Sequence, residues 1–96
     1  AMEAQGHRVI FLSGRTDACE MDTIKWLRIH SGLRSFDLWM RRAGDKRPDT
    51  SIKKELFNAH VRNKFNVICV FDDRDSAVAL WRDIGLTCMQ VAPGAF

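Results

Sequence analysis

The sequence predicts an α/β fold with a mainly parallel sheet, and three observations predict it. Short apolar runs alternate with segments of helical period along the whole chain. The runs are rich in β-branched and aromatic residues, as strands buried on both faces are. Glycine, serine and aspartate mark each change of period. Strand–helix alternation of this kind builds parallel sheets with right-handed crossovers. With 96 residues, no internal repeat and no linker, the chain reads as one unit, residues 1–96.

The elements follow in order. His7, Arg8, Val9, Ile10, Phe11 and Leu12 form the first strand, which Ser13, Gly14, Arg15, Thr16 and Asp17 break. A helix then carries Met21, Ile24, Leu27 and Arg28 on neighbouring turns and stops at Gly32. Residues 36–40 read as a second strand, with Trp39 inside it. Beyond Pro48 a helix over residues 50–63 aligns Ile52, Leu56, Phe57 and Ala59 in one apolar stripe. Residues 66–71 form the third and most hydrophobic strand. Ala77, Val78, Leu80, Trp81 and Ile84 then repeat at helical spacing up to Gly85, with Asp75 or Ser76 as the cap. Residues 87–91 make a short fourth strand, ended by Pro93 and Gly94.

Composition excludes several classes. With 46% hydrophobic and 28% charged residues the chain is neither disordered nor collagenous. No apolar run approaches the ~20 residues of a membrane helix, and no signal-peptide pattern opens the chain. The three cysteines, Cys19, Cys69 and Cys88, are widely spaced and odd in number. They read as reduced thiols of a cytoplasmic protein. The three histidines lie too far apart for a local metal motif. The net charge of +3 is uneven: between Arg41 and Lys54 six basic residues face Asp45 and Asp49. A solvated loop explains that cluster as well as an anionic partner does.

In parallel α/β sheets ligands bind outside the carboxyl ends of the strands. That rule selects Ser13-Gly14-Arg15, the basic connection after the second strand, and Asp72-Asp73. Ser13 and Gly14 offer a hydroxyl and a close-approaching backbone, and Arg15 a planar fork for phosphate. Alone this is a weak motif, and Asp17 beside it reads as a helix cap. Asp72 and Asp73 repel one another unless a cation compensates, and a carboxylate pair with water and a substrate oxygen suits Mg²⁺. A helix cap with an ion pair to Arg74 is the plainer alternative; the strand-end position favours metal. Lys53 or Lys54 could stabilise a transferring phosphoryl group, and spacing does not choose between them. Trp26, Trp39 and Trp81 read as packing residues rather than base-stacking platforms.

A strand ending in S-G-R, a helical lysine and a strand ending in D-D resemble the haloacid dehalogenase (HAD) phosphohydrolase superfamily. The sequence is most similar to the phosphatase domain of phage- and bacterial-type polynucleotide kinase–phosphatases. V-I-F-L-S-G-R (residues 9–15), G-D-K-R-P-D-T-S-I-K-K-E-L-F (44–57), V-F-D-D-R (70–74), L-W-R (80–82) and Q-V-A-P-G (90–94) carry the likeness. It implies a HAD-like Rossmannoid, three-layer α/β/α fold. It implies that Ser13 hydrogen-bonds the phosphoryl group, Arg15 binds phosphate in the transition state and Lys53, not Lys54, neutralises charge. Gly14, Arg42 and Asp49 would assist phosphate binding, and Asp72 and Asp73 would hold Mg²⁺. The implied reaction removes a 3′-phosphate from nucleic-acid ends through a phospho-aspartate.

The chain departs from that family at one place. The nucleophile motif D-x-D-G-T should precede Ser13, where Glu3 is the only carboxylate. The expectation is therefore a partial domain lacking the first central strand and inactive alone. Its four strands are expected to form two separated pairs, with self-association possible through the unpaired edges. A missing N-terminal segment or a kinase domain would be its partners. The alternatives are a non-catalytic phosphate- or nucleic-acid-binding module and a HAD phosphatase of small phosphomonoesters.

Overall fold

The computed structural model describes residues 7–92. Pro93, Gly94 and the first six residues lie outside the described residues. The chain divides into two compact units, residues 1–46 and 47–96. Each holds a two-stranded parallel sheet, so the expected α/β class and the expected strand pairs are both observed.

The first unit runs β1 (Ile10–Thr16), a 3-10 turn (Asp17–Cys19), α1 (Glu20–Ser31) and β2 (Asp37–Arg41). Ile10, Phe11, Leu12 and Ser13 pair in register with Asp37, Leu38, Trp39 and Met40. The register then shifts, and Thr16 pairs with Arg41. Gly14 and Arg15 are thus bulged out of a ladder that continues, rather than ending the strand as the sequence suggests. His7, Arg8 and Val9 precede the strand, although the Val9 carbonyl still accepts the Asp37 N–H at 3.1 Å. Gly32 ends α1 in the left-handed region at φ 71°, a backbone that glycine adopts without strain.

Only Leu27 of α1 is buried, because a two-stranded sheet offers little surface to cover a helix. Trp26 is 59% exposed and stacks on His30 with ring centroids 4.4 Å apart. Trp39 is 37% exposed. Neither is the packed residue that its spacing suggests. Asp17 caps nothing; its Oδ1 accepts the Ala43 N–H at 3.0 Å and ties the turn to the segment after β2.

Arg8 closes the unit's other end. Its Nε and Nη2 donate to the two oxygens of Asp37 at 3.0 and 2.8 Å, and Nη1 donates to Ser35. The Arg8 hydrogen bonds, opposed by some desolvation, hold the Asp37 carboxyl below the usual range. The ion pair therefore stabilises the fold above the unfolded aspartate pKa, near 3.8, and the contribution fades as pH falls through the lower folded value. Both side chains are partly solvated, so the pair contributes about 0.2–1 kcal/mol. Arg8→Ala is expected to raise the Asp37 pKa in a carboxyl NMR titration. An unchanged titration would show that the pair does not persist in solution.

The second unit runs α2 (Asp49–His60), β3 (Val70–Asp72), α3 (Asp75–Ile84) and β4 (Cys88–Gln90). Val70, Phe71 and Asp72 pair with Cys88, Met89 and Gln90. β3 is shorter than the apolar run that suggests it, because β4 supplies only these three partners; residues 66–69 approach as irregular chain. α2 opens at Pro48, whose fixed φ suits a helix entrance and whose carbonyl accepts the Ile52 N–H. The core gathers Ile52, Phe57, Val61, Ala77, Val78, Trp81 and Cys88. Ala59 is exposed, outside the stripe expected of α2. Burial, reinforced by the negative charge of Asp72, pushes the Cys88 thiol pKa up. α3 ends at Gly85, φ 100°. It starts after Arg74, with no side-chain cap from Asp75 or Ser76; the Asp75 carboxylate instead accepts from Gln90 at 2.7 Å.

Candidate active site

The sequence-selected residues fall into both units, and within each the fold gathers its own set. In the first unit, the β1 bulge turns Gly14 and Arg15 away from the ladder. Ser13 Oγ accepts the Arg15 N–H at 3.1 Å, so the hydroxyl folds back over the loop. Arg41 straps this loop: Nε donates to the Gly14 carbonyl at 2.7 Å and Nη1 to the Asp45 carbonyl at 3.0 Å. Arg42, next along the chain, and Arg15 are both exposed. Arg41 was not singled out by the sequence, where it is one basic residue in a run. Its partners are backbone oxygens, which no side-chain pattern announces.

In the second unit, three elements bring four charges together. Asp49 and Lys53 lie one turn apart on α2, Asp72 ends β3, and Arg74 precedes α3. The Lys53 ammonium sits 3.4 Å from Asp49 Oδ2 and 3.3 Å from Asp72 Oδ2. All three side chains are largely buried, between 12% and 16% exposed. Lys54 is exposed, so the choice that spacing leaves open has a geometric counterpart. Arg74 Nη1 approaches Asp49 Oδ2 at 3.6 Å. Asp49 Oδ2 is buried and accepts no hydrogen bond among the described residues, so two cations alone balance it.

Asp72 is the best-held carboxylate. Oδ1 accepts the Asp73 N–H at 2.8 Å, and Oδ2 accepts the Trp81 indole N–H at 2.9 Å beside the Lys53 ammonium. Burial raises its pKa, but the Trp81 hydrogen bond, the Lys53 charge and the Asp73 N–H outweigh burial and leave it below the ordinary value. Asp73 turns outward and is exposed. Its carbonyl accepts from Gln90 Nε2 at 3.0 Å, which fastens the loop after β3 to the end of β4.

Whether this donor set suits Mg²⁺ depends on its oxygens. Among the described residues no group of three or more His, Cys, Asp or Glu could hold a metal ion. Mg²⁺, however, is commonly held by one or two carboxylates, with water and substrate phosphate completing its octahedron. Asp72, with lone-pair capacity left on Oδ1, and the exposed Asp73 fit that partial set.

Short parallel strand pairs with three helices make this a small α/β chain of the HAD-like class. Residues 1–96 match the polynucleotide kinase PNKP phosphatase domain family, and the chain belongs to it. A protein of Autographa californica nuclear polyhedrosis virus that carries the name bifunctional polynucleotide kinase/RNA ligase is 41% identical over 76 residues, covering 79% of this chain and 11% of its own. Two solved chains of Pnkp1/Rnl/Hen1 complexes, one described as an RNA repair complex, superpose with TM-scores of 0.90 and 0.89 at 40% identity. Each covers 98% of this chain, which spans 30% and 33% of theirs. No helix among the described residues is long and apolar enough to cross a membrane.

Proposed function

We propose that this chain supplies the phosphate-binding and metal-binding side of a polynucleotide 3′-phosphatase that heals nucleic-acid ends. The observation that carries the reading is the Lys53 ammonium held between Asp49 and Asp72, in a chain that matches the family along its whole length. The names of the similar proteins, a polynucleotide kinase/RNA ligase and an RNA repair complex, support RNA ends as substrate and other repair domains as partners.

The roles are those that the family resemblance implies. Arg15 and the Ser13 hydroxyl bind the non-bridging oxygens of the scissile phosphate, with Gly14 allowing close backbone approach. Arg42 adds positive charge along the substrate path. Lys53 neutralises charge that develops on the phosphoryl group, an electrostatic role that works best away from water. Asp49 keeps Lys53 aimed. Mg²⁺, held by Asp72 and Asp73, would act as a Lewis acid on the phosphoryl oxygens. Covalent transfer needs an aspartate nucleophile, which the D-x-D-G-T segment supplies in this family and which residues 1–12 do not contain. These 96 residues alone are therefore expected to be inactive.

The test supplies that segment, in cis or as a peptide, and measures Mg²⁺-dependent phosphate release from 3′-phosphorylated RNA and DNA oligonucleotides. Turnover that Asp72→Ala abolishes supports the reading. A completed site that turns over neither oligonucleotide would overturn it. Salt-sensitive oligonucleotide binding without turnover would instead identify a binding module built on the basic connection.

A further inference from the structure

We propose that Trp81 is a positioning residue for Asp72, its indole N–H fixing the carboxylate independently of Lys53; this rests on the phosphatase reading above. Trp81 is 3% exposed, and α3 carries it among Ala77, Val78 and the Phe57 ring, whose centroid lies 5.6 Å away in edge-to-face geometry. The indole has one polar atom and it can only donate. Buried as it is, it has one acceptor, Asp72 Oδ2 at 2.9 Å.

The two donors on Oδ2 differ in kind. Lys53 ends a flexible stem and is shared with Asp49, at 3.3 Å from Asp72 and 3.4 Å from Asp49. Its proposed work is to turn toward a phosphoryl group, and each such turn loosens its hold on Asp72. The indole is rigid, and the core locks it on every side. Together with the Asp73 N–H on Oδ1 at 2.8 Å, it leaves both Asp72 oxygens with a donor when Lys53 departs. A carboxylate held at both oxygens cannot rotate, so it meets cation and phosphate in one orientation. Trp81 touches neither substrate nor metal, and acts through Asp72.

Two arms test this. In the first, ¹H–¹⁵N spectra of the metal-free chain follow the Trp81 indole resonance, assigned with Trp81→Phe. Slow solvent exchange, and a shift on Asp72→Asn, are expected; rapid exchange or indifference to Asp72→Asn overturns the proposal. In the second, Trp81 is replaced by benzothienylalanine, which keeps the ring shape and lacks the N–H, in the site completed with the D-x-D-G-T segment. A roughly tenfold fall in kcat with KM changed less than about twofold, at unchanged melting temperature, is expected for lost positioning. An unchanged kcat, or a loss that tracks melting temperature alone, overturns it. The first arm requires no turnover, so a completed wild-type site without activity would refute the phosphatase reading while the indole result stood separately.

Discussion

In the site completed with the D-x-D-G-T segment, Lys53→Met is expected to lower phosphate release from a 3′-phosphorylated oligonucleotide by roughly 100- to 1,000-fold, the loss typical when one preorganised donor is removed from where charge develops. The substitution keeps most of the aliphatic stem and deletes the charge. Asp49 and Asp72, each largely buried, then face one another with Arg74 as the remaining cation on Asp49. Removing one member of a fully buried ion pair costs about 3–5 kcal/mol, and partial solvation here reduces that to roughly 1–3 kcal/mol. The same change raises the Asp72 pKa, since Lys53 helps to hold it down. In the unsubstituted chain the stabilisation from ionised Asp72 is complete above the unfolded value near 3.8 and is lost as pH falls through the lower folded value. In Lys53→Met that loss begins at higher pH. Steady-state kinetics at saturating substrate, with thermal melts from pH 3 to 8, measure both effects. Near-normal turnover in Lys53→Met would remove the lysine from the mechanism.

Phe57→Ala is expected to be the most destabilising single truncation, by about 3–5 kcal/mol. Phe57 is 5% exposed, packs edge-to-face on Trp81 and lies 5.5 Å from the Arg62 guanidinium carbon. Domains of this size have a total stability of about 5–15 kcal/mol, and each 1 kcal/mol moves Tm by about 4–8 °C. The melting temperature should therefore drop by roughly 12–40 °C, or the second unit should fail to fold at 37 °C. Phe57→Leu refills most of the volume and should recover more than half of the loss. A small effect from Phe57→Ala would mean that the core around Trp81 collapses to fill the space, and that Trp81 is less confined than its burial suggests.

The two helices that end at Gly32 and Gly85 were legible in the sequence because period and stop signal agree there. Strand limits were less so. The run at residues 66–71 has the composition of a strand, but pairing depends on a neighbour, and β4 reaches only three residues. Burial was misread for the same reason. Trp26 and Trp39 have the spacing of packed residues, yet a two-stranded sheet leaves one flank of its helix and part of its face open.

Residue type singled out Ser13, Gly14, Arg15, Asp72 and Asp73; Asp72 does end β3, whereas the Ser13 loop is a bulge inside β1. Lys53 needed the family likeness, since adjacent lysines on a helix differ only in which way the backbone turns them. Arg41 and the Trp81 N–H were not legible. One donates to main-chain carbonyls and the other hides its single polar atom inside an apolar stripe.

Among the described residues β1 pairs with β2 and β3 with β4, each with the next strand along the chain, and this bears on how each unit assembles. Parallel pairs need a crossover, but each one here spans a single α-helix, so its closure costs less entropy than pairing across the whole chain. Each half can thus acquire its strand pair without waiting for the other, in the order in which synthesis delivers them.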